Sequence, residues 1–409
     1  MSDFNPHTIR PAFPALATQV QGRPAVFFDA PGGTQVPQMV IDAISGYLTH
    51  SNANTHGAFL TSQRSDAVIA AAHQAMADLL GCSPAEIIFG ANMTTLTFAL
   101  SRALARNWGP GDQIVVTKLD HDANVAPWRA LTERGVTICE VEIDPTDCTL
   151  DMADFAAAIG PQTKLVAVGY ASNAVGTIND VRRVVELAQQ VGALTFVDAV
   201  HYAPHGPIDV RTLDCDFLAC SVYKFFGPHV GCLYGKAEHL HHFQPYKVRP
   251  ASDLPPECWM TGTQNHEGLA GVVAAVDYLA TLAPTPQTDR RSALLAAMTR
   301  IAAYERGLAE RLITGLLAVP GLTFYGIREP ERFAWRTPTV SFRIDGHTPQ
   351  AIAAALGEQG IFVWDGNYYA LSLSERLGVE QLGGMVRVGL AHYSTAEEVD
   401  RLLEALHGL

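Results

Sequence analysis

The chain has no cysteine after position 258 and no Cys-x-x-Cys pair anywhere in its 409 residues. A zinc ribbon or a paired redox motif is therefore not written into it. The odd total of seven (Cys82, Cys139, Cys148, Cys215, Cys220, Cys232, Cys258), set mostly among apolar neighbours, predicts reduced, largely buried thiols. No segment reaches the ~18 uninterrupted apolar residues of a helical membrane span, so no membrane association is expected. The opening MSDFNPHTIR lacks a positive start followed by an apolar stretch, so placement in the cytoplasm is expected. Basic runs are missing as well. With 28 Lys and Arg against 41 Asp and Glu, net −13, the chain has no cationic stripe to neutralise a phosphate backbone, and nucleic acid is not an expected partner. The marks of disorder are also lacking, because 48% of residues are hydrophobic and only 17% are charged.

At ~100–200 residues per domain, the length allows two or three units. Short apolar, β-branched runs alternate with helical patterns through most of the chain, which predicts an α/β fold with a mostly parallel sheet covered by helices. The expected strands are EIIFGA (86–91), DQIVVTKL (112–119), KLVAVGYA (164–171), LTFVDAV (194–200) and FLACSVY (217–223). Helices are expected over 94–107 and 180–191, the latter between Asp180 and Gly192. The text APTPQT at 283–288 marks a boundary, followed by a long helical pattern from 289 to about 319. The rest predicts a small α+β unit: strand 339–344, helix 349–357, strands 361–364 and 385–390, and a last helix from Ser394. The expected division is a large domain over 21–284 and a small one formed by 1–20 and 285–409. No internal repeat or low-complexity tract is present.

In open α/β sheets, ligands sit beyond the carboxyl ends of the strands, and here those positions are polar. Thr94 and Thr95 open a helix, where free N–H groups, hydroxyls and the helix dipole suit a phosphate, although for this pair alone an ordinary N-cap is the favoured reading. Asp198 ends an apolar strand, where burial calls for a cationic partner such as a protonated pyridine nitrogen; a capping or salt-bridged aspartate is the plain alternative. Lys224 is a single lysine in the apolar, aromatic stretch CSVYKFFGPHVG. Desolvation would lower its pKa and make it a nucleophile for a Schiff base, unless the side chain snorkels to the surface. His121 in LDHDANVAPW can stack on a flat ring or move protons, and Asn173 in SNAVGT can bond a phenolic oxygen or simply serve a turn.

Taken together and in order, these residues resemble the class V, fold-type I pyridoxal-phosphate enzymes, specifically the cysteine desulfurase-like group. The likeness runs from FFDAPGGTQVP to MVRVGLAHYST and is most specific in VDAVHYAPHGPIDV and DCDFLACSVYKFFGPHVG. It implies a three-layer sandwich, pyridoxal 5'-phosphate as cofactor, an amino acid as substrate, and a homodimer. By position it makes Lys224 the Schiff-base lysine, Asp198 the partner of the pyridine nitrogen and His121 the residue stacked on the ring. Asn173 and His201 would lie near the phenolic oxygen. Thr94, Thr95, Ser221 and Tyr223 would surround the phosphate, with Thr263 reaching the other subunit's phosphate, and Arg387 would hold the substrate carboxylate.

The departures from the family pattern bear on the reaction. Desulfurases of this kind carry a nucleophilic cysteine on a small-domain loop, but the corresponding stretch VWDGNYYALSLSERLG has none, and Tyr369 falls near that place. A persulfide relay needs a thiolate at the substrate sulfur, so β-elimination without a relay is expected instead. Transamination and epimerisation share the first steps with it. His201 stands where many desulfurases have glutamine, Tyr223 where many have histidine, and Trp364 about where a second substrate-binding arginine is often found. Two readings from other classes compete: a metal-dependent hydrolase built from Asp120, His121, Asp122, Asp198, His201 and His205, and a non-catalytic protein that keeps the cofactor fold. The cluster His239, His241, His242 reads as a solvated helix face rather than a metal site. No metal is expected.

Overall fold

The computed structural model describes residues 4–408. Its centre is a seven-stranded sheet of β1 (Ile87–Gly90), β2 (Gln113–Thr117), β3 (Thr137–Val141), β4 (Thr163–Gly169), β5 (Leu194–Asp198), β6 (Phe217–Ser221) and β7 (Gly231–Gly235), in the order β1-β7-β6-β5-β4-β2-β3. Only β7 runs against its neighbours. The strands read as continuous apolar runs because both faces are covered. Val115, Val166, Val168 and Val197 enter the core on one face, while Ile114, Val116, Leu165, Ala167 and Phe196 enter the core on the other. Side chains that alternate between two dry cores are what a three-layer sandwich requires.

The helices follow local rules. The helix α1 (Met93–Leu104) is capped by the Asn92 side chain, which accepts from the Thr95 N–H, and α2 (Val181–Gln189) is capped by Asp180. In α2, Val181, Val184, Val185 and Leu187 are buried, while Arg182, Arg183 and Glu186 pair on the outside. The long helix α3 (Arg290–Leu317), capped by Asp289, crosses between two cores. Leu294, Ala297, Met298 and Ile301 belong to the large core, and Leu308, Leu312, Ile313 and Leu316 to the C-terminal one.

That second core lies on an antiparallel sheet of β8 (Leu322–Tyr325), β9 (Thr339–Ile344), β10 (Trp364–Gly366) and β11 (Met385–Gly389), ordered β8-β9-β11-β10. Val26–Phe27 pair in parallel with Ile361–Phe362, and Val26 and Phe28 pack into this core. The expected strand over 361–364 is thus two pieces with different partners. Besides short two-residue pairings, three strands of the two main sheets escaped the sequence reading. β3 is a partly exposed edge strand, β7 is GCLYG with a glycine at each end, and β8 is short and half exposed. All seven cysteines are free thiols, five buried and two partly buried. Among the described residues, no helix is long and apolar enough to cross a membrane.

Candidate active site

The carboxyl ends of the parallel strands open into a cavity of about 950 Å³, faced from the other side by β10 and β11. Thr94, Thr95, His121, Asn173, Asp198, His201, Ser221, Tyr223, Lys224 and Arg387 all line it. Thr263 does not; it is exposed on a loop outside the cavity of its own chain.

Lys224 follows β6 in a single 3-10 turn, and its Nζ donates to the Pro31 carbonyl and lies 4.8 Å from the Tyr223 ring centre. Burial and the Arg387 charge lower its pKa to about 7, against a smaller raising effect of Asp198. The amine is a nucleophile only when neutral, so it is available near neutral pH rather than above pH 10. Attachment of an aldehyde to this amine is expected to speed up about tenfold per pH unit below pH 7 and to level off near pH 8. Stopped-flow absorbance after adding pyridoxal 5'-phosphate to cofactor-free protein checks this; an unshifted lysine would keep accelerating to pH 10.

Asp198 is the last residue of β5, buried, with Oδ1 accepting from the Val200 N–H at 2.9 Å. Desolvation raises its pKa to about 6, opposed by that hydrogen bond and by Lys224. A cation placed against it would restore its ionised form. His121 is fixed from one side, its Nδ1 accepting from the Ala123 N–H at 3.0 Å, and stacks on Tyr369 with ring centres 5.4 Å apart. Burial, then Lys224 and Arg387, push its pKa down to about 4, so the ring is neutral at pH 7.

At the start of α1 the Met93 N–H donates to Ser221 Oγ at 3.1 Å, tying the helix terminus to the end of β6. Thr95 Oγ1 donates to Asn92, and Thr94 is exposed toward the cavity. A Cβ at Gly231 would stand 2.4 Å from the Asn92 carbonyl carbon, so only glycine lets β7 run this close to the helix start.

Asn173 donates from Nδ2 to the Tyr368 carbonyl at 2.9 Å, but its buried Oδ1 has no partner. Arg387 donates from Nη1 to the Asn173 carbonyl at 3.0 Å, and its guanidinium lies 4.1 Å from the Tyr368 ring centre. Its Nε is buried and unpartnered, and desolvation lowers its pKa to about 10. His201 Nε2 lies 3.1 Å from Thr337 Oγ1. Buried polar atoms left without partners around a cavity mark places where a ligand completes the hydrogen bonding.

Of the residues in the metal-hydrolase reading, Asp120, His121, Asp198 and His201 line the cavity, but Asp120 and His205 are held by protein partners. Asp120 accepts from the Gly169 N–H at 2.8 Å and from Asn124 at 3.0 Å, and His205 pairs with Glu305 at 2.8 Å. Among the described residues, no three His, Cys, Asp or Glu side chains are grouped to hold an ion. His241 and His242 are exposed, whereas His239 turns inward to Asp216 at 2.8 Å, a correction to the fully solvated face expected there.

Sequence reading missed Asp29, Tyr368, Thr337 and His229. Asp29 carried a usable signal, since it ends the apolar run AVFF as Asp198 ends its strand; its Oδ1 is buried without a partner, and burial raises its pKa to about 6. Tyr368 carried none, because its left-handed backbone (φ 57°) comes from the tertiary setting of the loop after β10.

The family model for aminotransferase class-V matches residues 26–402. A cysteine desulfurase of Pectobacterium carotovorum is 32% identical over 417 residues, covering 97% of this chain and 96% of that protein. A probable cysteine desulfurase of Mycolicibacterium paratuberculosis is 33% identical over 422 residues and covers 98% of this chain, which spans only 58% of that longer relative. The apo cysteine desulfurase of Thermococcus onnurineus shares the fold with a TM-score of 0.88 at 28% identity, over 100% of this chain and 99% of its own. With a lysine, an aspartate and a histidine brought together at the strand ends of this fold, the chain belongs to the aminotransferase class-V family of pyridoxal-phosphate-dependent enzymes.

Proposed function

We propose that the protein is a carbon–sulfur lyase acting by β-elimination on an amino acid, without a persulfide relay. One observation carries this reading: among the described residues no cysteine lines the cavity, and the loop after β10 presents Tyr369, stacked on His121, where the desulfurase-like pattern puts its thiol. The residues present fit the cofactor, because Asn173 and Arg387 offer buried unpaired atoms to the cavity and Asp198 and Lys224 supply an acid and a low-pKa amine.

In this reading Lys224 would anchor the aldehyde, Asp198 would pair with the ring nitrogen, His121 would cover the ring, and Asn173 and His201 would meet the phenolic oxygen. Thr94, Thr95, Ser221 and Tyr223 would hold the phosphate beside the N-terminus of α1. Bound there, pyridoxal phosphate supplies an electron sink. Arg387 would hold the substrate carboxylate, and the Lys224 amine, once displaced from the aldehyde carbon by the substrate's own amino group, would take the proton from Cα. The Cβ–S bond breaks with its electron pair going to sulfur, which leaves as a thiol after protonation. The remaining three carbons and nitrogen take up one water to give pyruvate and ammonia.

The protein acts as a homodimer in this proposal, with Thr263 reaching the partner's phosphate. Alkylation with iodoacetamide is the direct test of a relay-free reaction. Pyruvate release from S-substituted cysteines should stay within about twofold of the untreated enzyme, and no protein persulfide should be detected by mass spectrometry. Loss of activity with a modified cysteine would sink the proposal, and so would stoichiometric keto-acid formation without thiol release.

A further inference from the structure

Trp364 and Arg387 are directly opposed in the antiparallel pair β10 and β11, so their side chains leave the sheet on the same face. Both line the cavity. The Trp364 indole lies against the backbone of Gly32, where a Cβ would come within 2.4 Å of its Nε1, and that Nε1 donates to the Asp29 carbonyl at 3.2 Å. Glycine at 32 is therefore what lets the indole lie flat, held by a hydrogen bond, while 47% of the residue stays exposed. A large ring half uncovered at a cavity wall, yet fixed in place, is apolar surface available to a ligand.

The charges around it point the same way. Lys224 and Arg387 are the only Lys and Arg among the described lining residues, and Asp120, Asp198 and Asp365 line the cavity as well. A substrate whose α-carboxylate occupies Arg387 would find no further Lys or Arg of this chain for a second carboxylate or a sulfinate. A neutral ring would instead meet Trp364, the neighbour of Arg387.

We infer that Trp364 is a specificity-determining residue that selects amino acids with an uncharged, bulky apolar or aromatic side chain, such as S-benzylcysteine, over small and acidic ones. The inference rests on the reading of Arg387 as the carboxylate site but not on the elimination step.

The test separates the two. Binding to the cofactor-loaded protein is followed by the change in cofactor absorbance, using L-phenylalanine and L-aspartate, neither of which can lose a thiol. Phenylalanine should bind at least about tenfold more tightly than aspartate. Trp364→Phe should keep most of that preference, Trp364→Ala should reduce it by about tenfold, and Trp364→Arg should turn it toward aspartate and cysteine sulfinate. Pyruvate release is measured separately with S-benzylcysteine, S-methylcysteine and cysteine sulfinate. A phenylalanine preference without pyruvate from any substrate leaves this inference standing and removes the lyase reading. Pyruvate fastest from cysteine sulfinate, or equal binding of phenylalanine and aspartate, overturns the inference. So does a preference that Trp364→Ala leaves unchanged, or the absence of any spectral response to amino acids.

Discussion

Replacing Lys224 by alanine is expected to lower turnover by at least about 10³-fold, the largest effect of any single change considered for this protein. The amine has two uses in the proposed reaction, anchoring the cofactor aldehyde and, once displaced from it, removing the α-proton, and among the described residues no other lysine lines the cavity. Borohydride reduction followed by peptide mass spectrometry should find the cofactor on the peptide containing Lys224 in the native protein and on no peptide of the variant. Folding should be little affected, because the ammonium is a buried group whose charge is costly there, as its depressed pKa shows. Circular dichroism and the melting temperature check that point. A variant that retained the bound-cofactor spectrum and turned over would remove Lys224 from the chemistry.

Replacing Arg387 by alanine should reduce kcat/KM for an amino acid by roughly 10²–10³-fold, the range expected when one partner of a desolvated charge pair is lost. The guanidinium keeps unused hydrogen-bonding capacity: Nη1 is occupied by the Asn173 carbonyl, Tyr368 covers one face, and Nε has no partner. The loss should fall mainly on amino-acid affinity, with cofactor binding within about threefold of the native value. An Arg387→Lys variant should recover only part of the activity, because an ammonium cannot present the planar fork. Steady-state kinetics and cofactor titration distinguish these outcomes. The variant also removes a cation that depresses the pKa of Lys224, so the Lys224 pKa should move upward. The rise in aldehyde attachment rate with pH should accordingly extend to higher pH in Arg387→Ala, a shift that the stopped-flow assay reads directly.

The sheet was legible because five of its seven strands are runs of apolar and β-branched residues long enough to be recognised alone. The edge strand β3 and the glycine-flanked β7 were not, since pairing rather than side-chain preference makes them strands. Site residues at strand ends were likewise legible: Asp198 and Lys224 are charges set in apolar text, and burial of a charge without a purpose is costly. Asp29 sits by the same rule at the end of its own run and needed only the same reading. Trp364 was visible as a departure, but its orientation was not. That depends on Gly32, more than 300 positions away, meeting the indole, and on the register that sets Trp364 opposite Arg387.

By itself the sequence determined the alternation of strand and helix, the polar residues at the strand ends, and the absence of any thiol beyond residue 258. These are properties of local pattern, and local pattern survives without a fold. Tertiary structure alone decided that Tyr369 stacks on His121, that Arg387 keeps an unpaired Nε, and that a fixed indole forms the wall beside it. Each of these comes from packing between segments distant in the chain, where close approach and desolvation, rather than residue type, set what a side chain can do.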